Sequence, residues 1–371
     1  MRRPGLLPDR AARRRLVVPG VLAAVLLAAA AAAAQDRPAI VIRDPAEKSY
    51  RAAVQRFAAP PAERGLADAV HDSALRGLRF SGLFSPLQER AFLGPVQSAP
   101  LDVPTPIRCE LWKQIGADAL VEGEVEAVGD RIRTEYRIRD VSRGCIVLGR
   151  RRSLKGGRDL AERMGKAIAD DVVEAFTGVP GVADTEIAFV SDRSGNKEIY
   201  VMDADGGNLR RATSNGSINT FPSWSPDGEA IVYTTYRYRN RPWLFLLTRG
   251  RRSPGRILRD VRLGKIYRGV FSPDGGDFAI VGVADGATEL FRVERDGGGL
   301  RRITNHRAID VSPAWSPDGR RMAFVSDRTG APHIYVMDAD GSDVRRLTYD
   351  GTYNTNPAWS PDGMWIAYET R

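Results

Sequence analysis

Apolar and polar residues follow two different rhythms along the chain. Beyond residue 187 they alternate in short runs broken by turn residues, as in Met322–Ser326, His333–Asp338 and Val344–Thr348, which predicts strands. Between residues 51 and 177 several stretches repeat every three or four positions instead. Leu66, Val70, Ala74 and Leu78 stripe a helix over Pro60–Arg79. Ile107, Leu111 and Ile115 stripe a second, and Leu160, Met164, Ile168, Val172 and Phe176 a third. Among these helices, Arg51–Phe57, Phe84–Leu87 and Cys145–Leu154 read as strands, and Ala119–Val128 with Arg131–Val141 as a hairpin turning at Gly129-Asp130. Gly178, Pro180 and Gly181 mark a linker.

The first 34 residues differ from both. Arg13-Arg14-Arg15 precedes Leu16–Ala34, apolar except at Pro19 and Gly20, which ends in alanines and gives way to Gln35-Asp36-Arg37-Pro38. This is the pattern of a secretory signal cut near Ala34. The run approaches the ~20 residues that would span a membrane, but its small alanines and polar break favour cleavage. The expected organisation is a signal peptide (1–34), an α/β domain (35–177), a linker (178–186) and an all-β propeller of four-stranded blades (187–371).

The propeller follows from a repeat. Trp224-Ser225-Pro226-Asp227-Gly228, Phe271-Ser272-Pro273-Asp274-Gly275, Trp315-Ser316-Pro317-Asp318-Gly319 and Trp359-Ser360-Pro361-Asp362-Gly363 start 47, 44 and 44 residues apart. Ile187–Thr213 and Met322–Thr348 are nearly the same text. A period of this size with several short strands is the mark of propeller blades, each of which buries its faces only by stacking on neighbours. Ser-Pro-Asp-Gly makes a tight turn from strand A to strand B, proline presetting φ and glycine accepting a positive one. The units run Ile187–Thr213, Phe221–Leu258, Val270–Thr304 and Val311–Thr348, with a fifth started at Asn356. The first lacks strand A, and the last carries a strand B over Trp365–Thr370 that would compete with Ile187–Ser191. A propeller interrupted at the carboxyl end is therefore expected, with roughly 75 further residues in the intact gene product.

The net charge of +9 changes little, because residues 1–34 hold +5 of it. Arg210-Arg211, Arg301-Arg302 and Arg345-Arg346 recur one pair per blade on the outermost strand, as guards against edge pairing rather than one basic face for nucleic acid. Asp203-Ala204-Asp205-Gly206 recurs between strands as a turn and lacks the distal glutamate of a calcium loop. His333 stands where the first unit has Glu198, which reads as an exposed strand position. No Gly-x-Ser-x-Gly elbow and no histidine ligand spacing occurs, so catalysis, a metal and a cofactor are not expected. Two alternatives remain, the propeller of an exported serine hydrolase and an envelope carbohydrate-binding propeller. Cys109 and Cys145 fit no metal spacing; in an exported protein they can pair or remain two thiols.

Leu75-Arg76-Gly77-Leu78-Arg79-Phe80-Ser81-Gly82-Leu83-Phe84, Ile115-Gly116-Ala117-Asp118-Ala119-Leu120-Val121-Glu122-Gly123 and Phe176-Thr177-Gly178, joined to the repeats, resemble the TolB family of periplasmic propeller proteins of the Tol-Pal system. The resemblance implies a scaffold without chemistry. Its propeller would bind Pal, the peptidoglycan-associated outer-membrane lipoprotein, and its mature amino-terminal segment would bind TolA of the inner membrane, supporting envelope constriction during division. The TolA segment matches Gln35–Asp44, centred on Ile40, Val41 and Ile42; Pro45-Ala46-Glu47-Lys48 then replaces the family's glycine-rich connection. Loops from strand D to the next strand A vary between blades on a constant framework, as a binding face should. By position the resemblance carries Pal contacts onto Lys265, Tyr267, Ile309 and Asp310, with Asn219, His306 and Asn354 next around the mouth.

Overall fold

Five strands in the order β2-β1-β3-β4-β5 make the sheet of the amino-terminal domain: β1 Tyr50–Val54, β2 Phe84–Pro86, β3 Ala119–Val128, β4 Arg131–Asp140 and β5 Ile146–Lys155. The computed structural model describes residues 49–99, 108–155, 160–238, 241–251, 254–257 and 263–371. The expected signal peptide and the Ile40-Val41-Ile42 segment lie outside the described residues. β1 and β3 run parallel with Ala52 opposite Ala119, while β3-β4 and β4-β5 are antiparallel hairpin pairs. The helices are α1 Arg64–Phe80, α2 Cys109–Gln114 and α3 Leu160–Thr177.

Helices α1 and α3 pack on each other through their expected stripes, with Val70, Ala74, Leu78, Met164, Ile168 and Val172 all buried. Trp112 of α2 buries against Ala53, Leu120 and Val141 in a separate cluster. Cys109 and Cys145 are bridged, their Cα atoms 6.3 Å apart, within the span of ordinary disulfides. Tyr136, Asp171 and Arg152 form a buried polar cluster between sheet and α3. Burial alone would raise the Asp171 carboxyl, but hydrogen bonds from Arg152 and Tyr136 hold it below its usual range.

The repeats form sheets whose strands pair in sequence order. Blade 1 has three strands, Glu186–Ser191, Glu198–Asp203 and Arg210–Arg211. Blade 2 runs Asn219–Trp224, Ala230–Tyr238, Arg241–Thr248 and Gly255–Arg256; blade 3 Ile266–Phe271, Asp277–Ala284, Ala287–Glu294 and Arg301–Arg302. Blade 4 is Asp310–Trp315, Arg321–Ser326, His333–Asp338 and Arg345–Arg346, followed by the pair Asn354–Trp359 and Ile366–Thr370. Strand D is thus the arginine pair itself in blades 1, 3 and 4, and Gly255-Arg256 in blade 2.

Each Ser-Pro-Asp-Gly turn is closed by its own atoms and by its neighbour. In blade 4, Gly319 N–H donates to the Ser316 carbonyl at 2.9 Å, and the Asp318 carboxylate accepts from Ser316 Oγ and from the Arg320 amide. The glycine φ of 68–71° is the conformation the sequence demanded. A Cβ on Gly275, Gly319 or Gly363 would stand 3.5–3.7 Å from the proline ring of the preceding blade's turn, so successive turns stack. Blades also interlock through cations on rings: Arg292 lies over Trp315 and Arg321 over Trp359, 5.8 and 5.0 Å from the centroids.

The amino-terminal domain meets the propeller through Lys166 of α3, whose side chain is 2% exposed. Its Nζ lies 2.6 Å from Asp203, 3.0 Å from Asp205 and 3.6 Å from Glu162. Burial would lower the lysine, but the two aspartates outweigh it and hold its pKa up. The Asp203–Gly206 link between strands C and D is indeed a turn, and it is also the contact between the domains, which the repeat alone does not reveal.

Candidate protein-docking face

Strand A of blades 2, 3 and 4 and of the last pair begins at the D-to-A loop and ends at the Ser-Pro-Asp-Gly turn. Antiparallel order then places D-to-A and B-to-C loops at one end of each blade, and A-to-B and C-to-D turns at the other. Lys166 engages a C-to-D turn, so among the described residues the amino-terminal domain meets the second end, opposite the loop end.

A buried polar residue at or near the start of strand C anchors the following loop in three blades. Glu198 Oε2 accepts from Thr213 Oγ1 at 2.5 Å and from Asn219 Nδ2 at 2.8 Å. Glu289 accepts from Thr304 Oγ1 at 2.5 Å, from Arg302 Nη2 at 2.7 Å and from the His306 amide at 2.8 Å. His333 takes the same place in blade 4, with Arg346 Nη2 2.8 Å from Nε2 and Asn354 Nδ2 3.0 Å from Nδ1. The threonines in turn accept the amides of Ile199, Leu290 and Ile334. Burial, then the charge of Arg346, pushes the His333 imidazole pKa down. The expectation that His333 is exposed is therefore corrected: comparing it with Glu198 was right, but both are buried, because strand C lies inside the blade stack. Arg302 and Arg346 likewise serve these clusters besides guarding the edge.

The residues expected at the mouth divide by burial. Asn219, Asp310 and Asn354 each open a strand A and are fully buried. Asp310 pairs with Arg328 Nη2 at 3.0 Å; burial raises its carboxyl, against the pull of Ser326 and Arg328. Lys265, His306 and Ile309 are exposed, and Tyr267 is half-buried. The Ile309 amide is fixed by Asp327 Oδ1 at 2.8 Å, tying the loop to the B-to-C connection. Exposed apolar side chains gather on the same loops: Ile218, Ile309, Tyr349 and Tyr353, Tyr349 being 73% exposed.

One feature escaped the sequence. The third residue of every strand A has a positive φ: Phe221 54°, Arg268 27°, Ser312 53° and Asn356 52°. The ladder slips register at the same place in each sheet. Arg268 Nη1 reaches Ser312 Oγ at 3.1 Å and Asn356 Oδ1 at 3.3 Å, and its guanidinium lies 5.9 Å from the Phe221 centroid. Innermost strands of four successive sheets meet only near the propeller axis. The repeated third position before Pro222, Pro313 and Pro357, with glycine at Gly269, was the available signal; residue type there varies too much to announce a bulge.

Comparison with known proteins agrees with this architecture. Residues 38–147 match the TolB amino-terminal domain, and residues 173–371 the TolB beta propeller domain. The Tol-Pal system protein TolB of Anaeromyxobacter dehalogenans (strain 2CP-1) is 40% identical over 284 residues, 76% of this chain and 63% of that protein. The Tol-Pal system protein TolB of Anaeromyxobacter sp. (strain K) is 41% identical over 285 residues, with the same shares. The chain thus spans less than two thirds of the length of these relatives. The crystal structure of TolB from Acinetobacter baumannii superposes with a TM-score of 0.70 at 25% identity, covering 88% of this chain and 78% of that one. With both domain types matched in order, the chain belongs to the TolB family.

Proposed function

We propose that this chain is a non-enzymatic periplasmic scaffold of the Tol-Pal system. The loop end of its propeller binds the lipoprotein Pal, and residues Gln35–Asp44 bind TolA, supporting outer-membrane integrity and constriction at division. The observation that carries the Pal half is the loop end itself: exposed His306 and Ile309 on a loop anchored by Glu289, exposed Ile218, Tyr349 and Tyr353 on loops anchored by Glu198 and His333, and exposed Lys265 with half-buried Tyr267 at the entry to blade 3. Rigid loops offering large side chains lose little entropy on binding. Asn219, Asp310 and Asn354 act in this scheme by holding the loops in place.

The test is a titration with soluble Pal from the same organism. Lys265→Ala, Tyr267→Ala and Ile309→Ala should each raise Kd about fivefold or more, the scale of a hot spot above ~1 kcal/mol. Asp310→Ala is unsuitable because it strands Arg328. Arg345→Ala on the outer edge should leave Kd unchanged. Pal binding lost only through Arg345 would place the docking face elsewhere. Removal of residues 35–44 should abolish capture of TolA while sparing Pal.

A further inference from the structure

Arg268 reaches across strand A of two following sheets, to Ser312 and Asn356. Several half-buried arginines lie against carboxylates, as Arg139 does against Glu122, Arg302 against Glu289 and Arg328 against Asp310, while Arg256 stacks on Trp243 and Arg346 bonds His333 and the Thr348 carbonyl within their own blades. Among the described residues Arg268 makes no ion pair, and its two side-chain hydrogen bonds go to the neutral Ser312 and Asn356 through Nη1. Nε and Nη2 have no partner there. Burial alone acts on its titration, and pushes it down. A guanidinium is always charged and presents a planar donor fork, so here a cation is held near the propeller axis with part of that fork unused.

From this geometry we infer that Arg268 is a carboxylate-binding site at the axis of the propeller, filled by an acidic side chain of the protein that docks on the loop end. One cation among a ring, a hydroxyl and an amide balances a single negative charge; a phosphate dianion would need a second. Nε and Nη2 present the edge that a carboxylate grips with two parallel hydrogen bonds. The Phe221 ring, its centroid 5.9 Å from the guanidinium carbon, presents its π face to the cation from one side. The φ values at Phe221, Arg268, Ser312 and Asn356 break the strand A ladder at this level, freeing these side chains from the sheet. The identity of the ligand's carrier rests on the docking role proposed above; the site itself does not.

Two measurements separate these. In the first, the Nε–Hε resonance of Arg268, assigned by its loss in Arg268→Lys, is followed by NMR as the protein is titrated with glutarate, with sodium chloride at matched ionic strength as control. A saturable shift with glutarate alone, half-complete in the millimolar range, is expected. No shift, or the same shift with chloride, overturns the carboxylate site, as would a structure of the protein with a carboxylate of its own chain on Nη2. In the second, Arg268→Gln should raise the Kd for Pal about tenfold or more and flatten its salt dependence, with Arg268→Lys recovering part. Unchanged Pal affinity in Arg268→Gln overturns the partner's acidic side chain as occupant. If wild-type protein fails to bind Pal at all, the docking role falls, and the glutarate titration alone decides the site.

Discussion

Glu198, Glu289 and His333 share one register, yet only a carboxylate can accept on both of its atoms. Arg346 presents an N–H to His333 Nε2 and Asn354 an N–H to Nδ1, while a neutral imidazole has one acceptor. Turning the Asn354 amide does not mend this, because its Nδ2 also donates to the Asp350 carbonyl at 2.8 Å. Asn354 Oδ1 is left buried and unpaired. His333→Glu should therefore restore the arrangement of blades 1 and 3 and stabilise the protein by about 1 kcal/mol, the net value of a buried hydrogen bond. Denaturant titration checks this; a loss of stability would mean that the imidazole's packing outweighs its missing acceptor. The pH dependence has a definite sign. The His333 pKa is lowered on folding, so its contribution is intact above the unfolded value near ~6.5 and declines as pH falls through it, when the unfolded chain takes up a proton that the folded one resists. Stability of wild type relative to His333→Gln should fall between about pH 7 and pH 5; a flat difference would contradict the burial. The sequence could align His333 with Glu198, but alternation alone does not show that both faces of strand C are covered.

At the scale of elements, what periodicity made legible and what it hid are both clear in the α1–α3 pair. The stripes placed both helices within a few residues of their ends, because 3.6-residue recurrence is a direct image of the buried face. Gly77 and Gly165 carry no such signal, and helix propensity alone counts each as a defect. The structure shows why they are there. A Cβ on Gly165 would stand 2.4 Å from the Val70 carbonyl oxygen and 2.5 Å from Ser73 Cβ; one on Gly77 would stand 2.7 Å from Ala169 Cβ. The two glycines let the backbones touch, so they are read only when the partner helix is known. Gly165→Ala gains about 1 kcal/mol of helix propensity but must push α1 away from a rigid carbonyl, an overpacking cost of about 1–3 kcal/mol or more. The net change should be destabilising, seen as a lower Tm, whereas Gly149→Ala, with open space around its Cβ, should be nearly neutral. A stabilised Gly165→Ala protein would show that the helices can separate freely. In the propeller the same contrast holds: strands B and C were placed almost to the residue by the repeat, while strand D shrank to two residues and the strand A slip, a matter of φ alone, stayed hidden.

At the scale of the propeller the sheets are stacked, and burial is uneven along the stack. Arg321–Ser326 of blade 4 has neighbours on both faces and is buried from Met322 onward. Its counterpart in blade 1, Glu186–Ser191, is half-buried throughout with Ile187 exposed, and Ile366–Thr370 is largely exposed. Blade faces are apolar because stacking is meant to cover them, and stability in such arrays is a sum of sheet and interface terms, so local opening should follow the number of covered faces. Hydrogen exchange on this 371-residue chain gives the measure. Amides of Ile366–Thr370 should exchange first, Glu186–Ser191 next and Arg321–Ser326 last, with the extremes separated on the order of a hundredfold. Arg321–Ser326 is paired on both edges, whereas Glu186–Ser191 and Ile366–Thr370 are each paired on one, so the comparison is confined to amides that donate within a ladder, where the contrast reports coverage rather than pairing. If the three exchange alike at low concentration, where association is absent, the outer sheets have partners that this arrangement does not supply. If they become alike only as concentration rises, the exposed faces of blade 1 and of the last pair are covering one another between molecules.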